Sequence, residues 1–159
     1  MIAVVMGVAG SGKSTVGAAL AARLGLPFVE GDAFHDPAAL RAMSAGLPLT
    51  DEQRRPWIDR INAELRRHPG GCVCACSALN PTIRRRLGRG LEDVRWIWLR
   101  ATPALLEHRL ATRTGHPVGV SLLPSQLAAL EPPADALAVD ASDTPSEIVA
   151  SVERWLAQR

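Results

Sequence analysis

The sequence lacks any long apolar run. No stretch approaches the roughly 18 to 20 consecutive apolar residues that a membrane-spanning helix needs. The apolar segment at the N-terminus, Ile2–Met6, is too short for a signal peptide and has no basic residues before it. We therefore expect no membrane segment and no export signal, and a cytoplasmic protein.

Cysteine is also scarce. The three cysteines, Cys72, Cys74 and Cys76, alternate along one predicted strand, so their side chains fall on one face. Neighbours at that spacing do not readily form a disulfide, and no His or Cys follows at a spacing typical of zinc sites. The pattern predicts free, buried thiols, which fit a reducing compartment.

Neither sign of charge dominates. The net charge is +2, and 47% hydrophobic against 21% charged residues is the balance of one globular domain over 1–159. The densest basic cluster is Arg84, Arg85 and Arg86 with Arg89. We interpret it as a solvated helix face or an anion-binding surface rather than a nucleic-acid site, so no nucleic-acid partner is expected.

Lysine is almost absent, since 17 of the 18 basic residues are arginine. The single lysine, Lys13, lies in a glycine-rich loop of the form G-x-x-x-x-G-K-S, between an apolar strand and a predicted helix. Backbone N–H groups of such a loop wrap a phosphate chain, and a compact ammonium reaches the β- and γ-phosphates where a guanidinium would not fit. The loop predicts ATP binding, with Ser14 offering its hydroxyl to Mg²⁺. The predicted nucleotide-binding residues are Gly7, Val8, Ala9, Gly10, Ser11, Gly12, Lys13, Ser14 and Thr15.

Strand and helix patterns alternate along the chain. Five short apolar strands, each followed by a helix, require right-handed crossovers and therefore an α/β fold with a parallel, helix-covered sheet. A segment rich in Gly, Pro and polar residues, 113–124, predicts a mobile loop, part of a lid over about 113–126. The predicted strands are Ile2–Met6, 27–30, 72–76, 94–99 and 136–139; the predicted helices are Lys13–Leu24, one capped by Thr50, one starting at Pro81, Pro103–Thr112, 125–130 and one capped by Thr144.

Polar residues follow the predicted strands where ligands bind open α/β sheets, at the carboxyl ends. Asp32 follows the second strand and Ser77 the third. Phosphoryl transfer to an alcohol needs a carboxylate that orients or deprotonates the acceptor hydroxyl, and Asp32 is the best placed acid. The alternative is that Asp32 caps a loop. His35, three residues on, either contacts the substrate or is an ordinary loop histidine.

Several cations fall near the same predicted site. Arg109 and Arg113 are four residues apart, so they share a helix face that could close over the phosphates; the alternative is a surface pair. His116 is either a donor to substrate or phosphate, or an exposed residue. Arg54 lies in the first turn of its helix, where the helix dipole disfavours a cation, and an anionic ligand would explain it.

The chain resembles the bacterial gluconokinase family in collinear segments that cover nearly its whole length. The resemblance implies a three-layer P-loop fold like that of nucleoside monophosphate kinases, usually dimeric, that uses ATP and Mg²⁺ to phosphorylate D-gluconate at its 6-hydroxyl. It further implies that Asp32 faces the acceptor hydroxyl and that His35, Arg54 and His116 lie near the sugar acid. Ser77, after the third strand, is also a predicted substrate-binding residue. The segments that carry the resemblance are Gly31-Asp32-x-x-His35, Met43-x-x-Gly46-x-Pro48-Leu49-x-Asp51-x-x-Arg54-x-Pro56-Trp57, Cys76-Ser77-Ala78-Leu79, Arg109-x-x-x-Arg113-x-Gly115-His116, and Leu122-Leu123-x-Ser125-Gln126 with Glu131-Pro132.

The departures from the family pattern lie on the acceptor side. Residues that are usually Asn, Lys, Met or aromatic in the family are here Ala39, Ala42, Asn80, Ile83, Pro117 and Val118. Losing cations and hydrogen-bond donors there leaves two further hypotheses open. One is a kinase for another hydroxy or sugar acid, such as a shikimate-like substrate, and the other is a nucleotide-binding module whose acceptor site has decayed.

Overall fold

A computed structural model describes residues 1–115 and 118–158 and contains one parallel five-stranded sheet. Its strand order is β2-β3-β1-β4-β5, which places the first strand in the centre, and all four pairings are parallel. The predicted α/β fold is confirmed, and the predicted strands hold to within two residues at either end. The strands are β1 (Ile2–Met6), β2 (Phe28–Glu30), β3 (Cys72–Ala75), β4 (Val94–Arg100) and β5 (Leu137–Asp140).

Helices cover both faces of the sheet because alternate strand residues point to opposite sides. On one face Val4 and Met6 pack with Trp57, Ile58 and Ile61. On the other face the neighbouring strand residues pack against the first and last helices, and the two clusters form a three-layer structure. The helices are α1 (Lys13–Leu24), α2 (Pro37–Ser44), α3 (Asp51–Leu65), α4 (Pro81–Leu87), α5 (Pro103–Thr112), α6 (Leu123–Ala129) and α7 (Pro145–Leu156).

Side-chain caps fix where several helices begin. Thr50 and Thr144 form complete capping boxes with Gln53 and Glu147, in which each side chain binds the other residue's backbone N–H. Asn80 caps α4 by accepting from the Ile83 N–H, 2.9 Å away. These starts agree with the sequence prediction because a cap satisfies N–H groups that the first turn leaves unpaired.

One helix was missed in the sequence. The polar segment after β2 contains a 3-10 turn, Gly31–Phe34, and then α2. Asp36 caps α2 by accepting from the Ala39 N–H at 2.8 Å, and Pro37 occupies its first turn. The Asp-Pro pair is the same start signal as Asn80-Pro81, but α2 spans only two turns and its helical pattern is correspondingly short.

The segment predicted as a loop over 113–124 contains regular structure where it is described. A 3-10 turn spans Val120–Leu122, and α6 begins at Leu123, two residues before the predicted start. Leu122 and Leu123 are buried in a third apolar cluster together with Val8, Met43 and Leu49. Burial of these leucines favours regular structure from Val120 onward despite the local Gly and Pro content, because apolar contacts outweigh weak local propensity.

The three cysteines are free and buried, as predicted, and lie in the same apolar cluster. Burial raises the pKa of Cys72 to about 11 and that of Cys76 to about 12, because a thiolate would lose its hydration. The pKa of Cys74 is raised well above its usual value for the same reason. All three thiols are therefore protonated at neutral pH.

The arginine cluster on α4 differs in part from the predicted solvated face. Arg84 is buried and its Nη1 donates to the Ala78 carbonyl at 3.0 Å. Arg86 forms a two-point ion pair with Asp59, with N–O distances of 2.6 and 2.7 Å. Arg84 and Arg86 thus join α4 to the segment before it and to α3. Across the described ranges, no helix combines the length and the apolar character needed to cross a bilayer.

Candidate active site

The loop between β1 and α1 has the backbone geometry of a phosphate cradle. Gly10 and Gly12 adopt φ angles of +83° and +99°, which residues with a β-carbon rarely take. The hydroxyl of Ser11 is buried and has no hydrogen-bond partner within the described part of the chain. A concave row of backbone N–H groups at a helix N-terminus, with a buried hydroxyl that lacks a partner, fits an anionic ligand such as a phosphate chain.

Lys13 is the first residue of α1 and its ammonium lies within the loop. Its Nζ donates to the Val8 carbonyl at 3.1 Å. Burial lowers the pKa of Lys13 below its ordinary value, while the nearby Asp32 carboxylate acts in the opposite direction. The carboxylate predicted to face the acceptor therefore lies close enough to Lys13 to favour its charged form.

Arg109 ties the phosphate loop to the end of the sheet. Its Nη1 lies 3.4 and 3.3 Å from the carbonyl oxygens of Gly10 and Ser11, and its Nη2 donates to Ala141 at 2.8 Å. Arg113, one turn further along, is close enough to Lys13 to disfavour the charged ammonium. Both residues line the cavity beside the loop, and their closure over the phosphates stays a prediction.

Asp32 lies in the 3-10 turn that follows β2. Its backbone N–H donates a hydrogen bond to the Glu30 carboxylate at 3.3 Å. Its side chain is 39% exposed and faces His35, with 3.9 Å between Asp32 Oδ1 and His35 Nε2. The carboxylate is thus accessible from the cavity that it lines, as a group that meets an acceptor hydroxyl must be.

His35 is held by a stacking contact. Its ring lies over Trp57 with 4.2 Å between ring centroids and an angle of 15°, and its side chain is 6% exposed. Burial lowers the pKa of His35, although the Asp32 carboxylate opposes the shift, so the imidazole is neutral at pH 7. Its Nδ1 is buried without a hydrogen-bond partner in 1–115 and 118–158, which leaves it available to a ligand.

Arg54 belongs to a small polar network at the mouth of the cavity. Its Nη1 lies 3.1 Å from Asp51 Oδ1, and its side chain is 19% exposed. Asn80, besides capping α4, has its Nδ2 at 3.3 Å from both oxygens of Asp51. The Asp51 carboxylate therefore holds the Arg54 guanidinium on one side and a neutral amide on the other.

One cavity of about 340 Å³ joins most of the predicted site residues. Gly7 and Val8 do not line it; Gly7 instead donates its N–H to the Ser77 carbonyl at 3.4 Å. His116 lies outside the described residues. The predicted residues that line the cavity are Ala9, Gly10, Ser11, Gly12, Lys13, Ser14, Thr15, Asp32, His35, Arg54, Ser77, Arg109 and Arg113.

The structure adds two residues whose contacts the sequence does not reveal. Gln126 accepts a hydrogen bond from the Ala9 N–H at 2.7 Å, and so joins α6 to the phosphate loop. Trp57 of α3 donates its indole N–H to the Gly31 carbonyl at 2.8 Å and also lines the cavity. Both contacts join segments far apart in the chain, and no local pattern announces them.

A family model and individual known proteins both match this chain over most of its length. The shikimate kinase family model matches residues 9–156. A gluconokinase of Gluconobacter oxydans (strain 621H) is 45% identical over 135 residues, which cover 83% of this chain and 76% of that protein.

Solved structures agree with this result. A gluconokinase from Sinorhizobium meliloti 1021 superposes with a TM-score of 0.88 at 41% identity, covering 99% of this chain and 91% of that one. A sugar kinase from Janibacter sp. HTCC2649 superposes with a TM-score of 0.90 at 36% identity, covering 98% and 93%. The likeness therefore extends through both the phosphate loop and the acceptor side.

Proposed function

This chain belongs to the gluconokinase family, within the wider shikimate kinase family, and from that premise we propose that it transfers the γ-phosphoryl group of ATP to D-gluconate. The acceptor is the 6-hydroxyl, and the products are 6-phosphogluconate and ADP. The observation that carries the proposal is the shared cavity, in which the phosphate loop and the Asp32 carboxylate face the same space.

The phosphate loop supplies the donor half of the site. Backbone N–H groups from Gly10 to Thr15 and the N-terminus of α1 bind the phosphate chain, and Lys13 adds a positive charge beside it. Arg109 and Arg113 offset the charge that spreads over the transferring group.

Magnesium is part of the proposal. No group of three or more His, Cys, Asp or Glu side chains within the described ranges could hold a metal by itself. This fits Mg²⁺, which keeps several waters and binds through phosphates with few protein ligands. The Ser14 hydroxyl, in the first turn of α1, is the group that would hold it. When bound, the ion neutralises charge on the phosphate oxygens.

Asp32 supplies the acceptor half of the chemistry. The acceptor oxygen attacks the γ-phosphorus as the bond from that phosphorus to the bridging oxygen of ADP breaks, and the hydroxyl proton passes to the Asp32 carboxylate. A neutral His35 helps here, because a cationic imidazole 3.9 Å away would compete for the same carboxylate.

The sugar acid is bound by side chains on the other side of Asp32. We assign its carboxylate to Arg54, whose guanidinium is oriented by Asp51, and its hydroxyl groups to His35, Ser77 and His116. A lid over about 113–126 excludes water from the reacting groups. The described part of that lid supports this role, since Leu122, Ser125 and Gln126 line the cavity.

The substituted positions do not favour the decayed-site hypothesis. Ile83 is buried in the core, and Ala39 and Ala42 pack against the third apolar cluster, so none of the three leaves an unpaired polar group. Val118 is 8% exposed and lines the cavity. Pro117 lies outside the described residues. The acceptor side is thus more apolar than the family pattern but remains a packed, formed pocket.

An ADP-release assay across a panel of acids tests the proposal. We expect turnover with D-gluconate, little with shikimate, and a product whose phosphate is on the 6-position by ³¹P and ¹³C NMR. Equal rates with and without every acid would contradict a kinase function. Turnover with another acid but not gluconate would retain the kinase and replace the substrate.

Assembly and location complete the proposal. The family resemblance supports a homodimer, which light scattering on the purified chain would check. The three free cysteines support a reducing, cytoplasmic location. Imaging of the tagged protein in its native cell would check that location.

A further inference from the structure

Trp57 contacts the turn that carries Asp32 in two different ways. Its indole N–H donates to the carbonyl of Gly31, the residue before Asp32, at 2.8 Å. Its ring also stacks on His35, three residues after Asp32, with 4.2 Å between centroids. One side chain from α3 therefore holds both ends of the short turn.

The same turn is constrained from its other sides. A β-carbon at Gly31 would collide with the Ala75 carbonyl oxygen at the end of β3, so the turn lies directly against the sheet. The Glu30 carboxylate binds the Asp32 N–H, and the His35 N–H binds the Asp32 carbonyl at 3.4 Å. With the sheet below and Trp57 beside it, the turn has few ways to rotate.

The His35 ring extends this support to the Asp32 carboxylate. It stacks on Trp57 with one face, its side chain is 6% exposed, and its Nε2 lies 3.9 Å from Asp32 Oδ1. A ring fixed in this way limits the side-chain rotamers open to Asp32. The carboxylate is thereby aimed by groups that themselves are buried and packed.

We propose that Trp57 is a positioning residue for phosphoryl transfer, which orients Asp32 through the Gly31 carbonyl and the His35 ring. The inference rests on the proposed function, since the orientation of Asp32 matters only if a hydroxyl is the phosphoryl acceptor. A displacement of about 1 Å of a catalytic group can cost on the order of a hundredfold in rate. Trp57 thus contributes to the transfer step in addition to its place in the core.

A purely structural role makes a different prediction. Trp57 is 3% exposed and belongs to the apolar cluster that also contacts Trp96. If it served only as core, its loss would lower stability and affect all kinetic constants together. If Trp57 positions Asp32, its loss lowers kcat with the acceptor and leaves nucleotide binding nearly unchanged.

The experiment compares Trp57→Phe with Trp96→Phe. Both replace an indole by a smaller ring in the same cluster, but Trp96 does not line the cavity. Phenylalanine keeps a ring for His35 and removes the N–H that binds Gly31. We measure kcat with gluconate, KM for ATP, melting temperature, and ADP formed per 6-phosphogluconate.

For Trp57→Phe we expect kcat to fall about 10- to 100-fold, with KM for ATP changed by no more than about twofold. ADP should exceed 6-phosphogluconate, because water reaches the phosphoryl group when the hydroxyl is not held. Trp96→Phe should keep the wild-type kcat and a ratio of one. Equal effects of the two substitutions on kcat would overturn the inference, as would a ratio of one in Trp57→Phe.

A substitute variant and a wild-type control complete the experiment. If Trp57→Phe does not fold, Trp57→Tyr, which fills more of the indole volume, is measured in the same way and judged by the same ratio. If the unmodified protein forms no 6-phosphogluconate, the proposed function itself fails. That outcome differs from failure of the inference, in which the wild type is active and the variants match each other.

Discussion

The two sides of the cavity are built in different ways. The proposed donor side is built mainly from one continuous segment, the loop and first turn of α1, which presents mostly backbone N–H groups; Arg109 and Arg113 add two side chains from the C-terminal end of α5. The acceptor side is assembled from side chains on separate elements, with Asp32 and His35 from the turn after β2, Arg54 from α3 and Ser77 after β3. A backbone site depends on a local spacing, whereas a side-chain site depends on the whole fold and can be altered one residue at a time.

The largest effect is expected at the centre of the donor side. Lys13→Ala should lower kcat by about 10³-fold and weaken ATP binding, because the phosphate charge loses its ammonium. Titration calorimetry with a nonhydrolysable ATP analogue and steady-state assays would measure both. Lys13→Arg is the matched variant, and it should also fail because a guanidinium is too broad for the loop. Normal kinetics in either variant would contradict the role of the loop.

A smaller loss, confined to turnover, is expected on the acceptor side. Asp32→Asn keeps the size of the side chain but cannot accept the hydroxyl proton, so kcat should fall about 10²-fold. Affinity for the ATP analogue should stay within about twofold, since the proposal assigns Asp32 to the acceptor hydroxyl and not to the phosphates. If calorimetry instead showed a loss of nucleotide binding equal to the loss of turnover, the two sides would not be separable.

Asn80 offers a way to sharpen the comparison by adding a cation. Asn80→Lys should lower KM for gluconate by about two- to fivefold, because an ammonium beside Asp51 adds positive potential near Arg54. Loss of the α4 cap should reduce the melting temperature by about 2 to 4 °C. Asn80→Ala loses the same cap without adding charge. Identical KM values in the two variants would show that this position does not influence acceptor binding.

The smallest effect concerns stability at low pH. His35 has a pKa lowered by burial in the folded chain, while the unfolded chain keeps the ordinary value near about 6.5. The unfolded state thus binds the proton more readily than the folded state. The contribution of His35 to the free energy of unfolding is therefore complete above pH about 6.5 and is lost as the pH falls below that value. Asp32 and Asp36 oppose this shift in pKa, and Arg54 and Arg60 reinforce it.

Thermal unfolding measures that contribution. The wild type should lose more melting temperature between pH 7.5 and pH 5.5 than His35→Gln, which has no group to protonate. Parallel slopes for the two proteins would exclude His35 as a source of the pH dependence.

The fold could be predicted in most of its parts because its signals are local. Thr50 with Gln53 and Thr144 with Glu147 mark helix starts within four residues, and the observed capping boxes are the same pairs. The helix missed in the sequence, α2, carries a cap-and-proline signal at Asp36, but its two turns give too few apolar positions for a clear period. Within the predicted loop 113–124, the regular structure from Val120 onward was not predicted, because burial of Leu122 and Leu123 is a tertiary effect.

The site residues also differ in whether a local sequence signal identifies them. The loop from Gly7 to Thr15 could be identified from spacing alone, whereas the Gln126 contact to Ala9 spans 117 residues of chain. The hydrogen bond from Trp57 to the Gly31 carbonyl likewise requires α3 to lie against the turn after β2. Such contacts depend on how helices pack on the sheet, which hydrophobic periodicity does not specify.

The cysteines of β3 and the residue after it can report local unfolding of the sheet. Each thiol is buried and protonated, so an alkylating reagent reacts only when the sheet has separated. Cys72 begins β3 and Cys76 directly follows it, beside Ser77 of the cavity, so the rate of labelling at each cysteine would record separately how often each end of β3 becomes exposed. If substrates rigidify the cavity, they should slow labelling of Cys76 more than that of Cys72, which mass spectrometry of the labelled peptides would measure without any mutation.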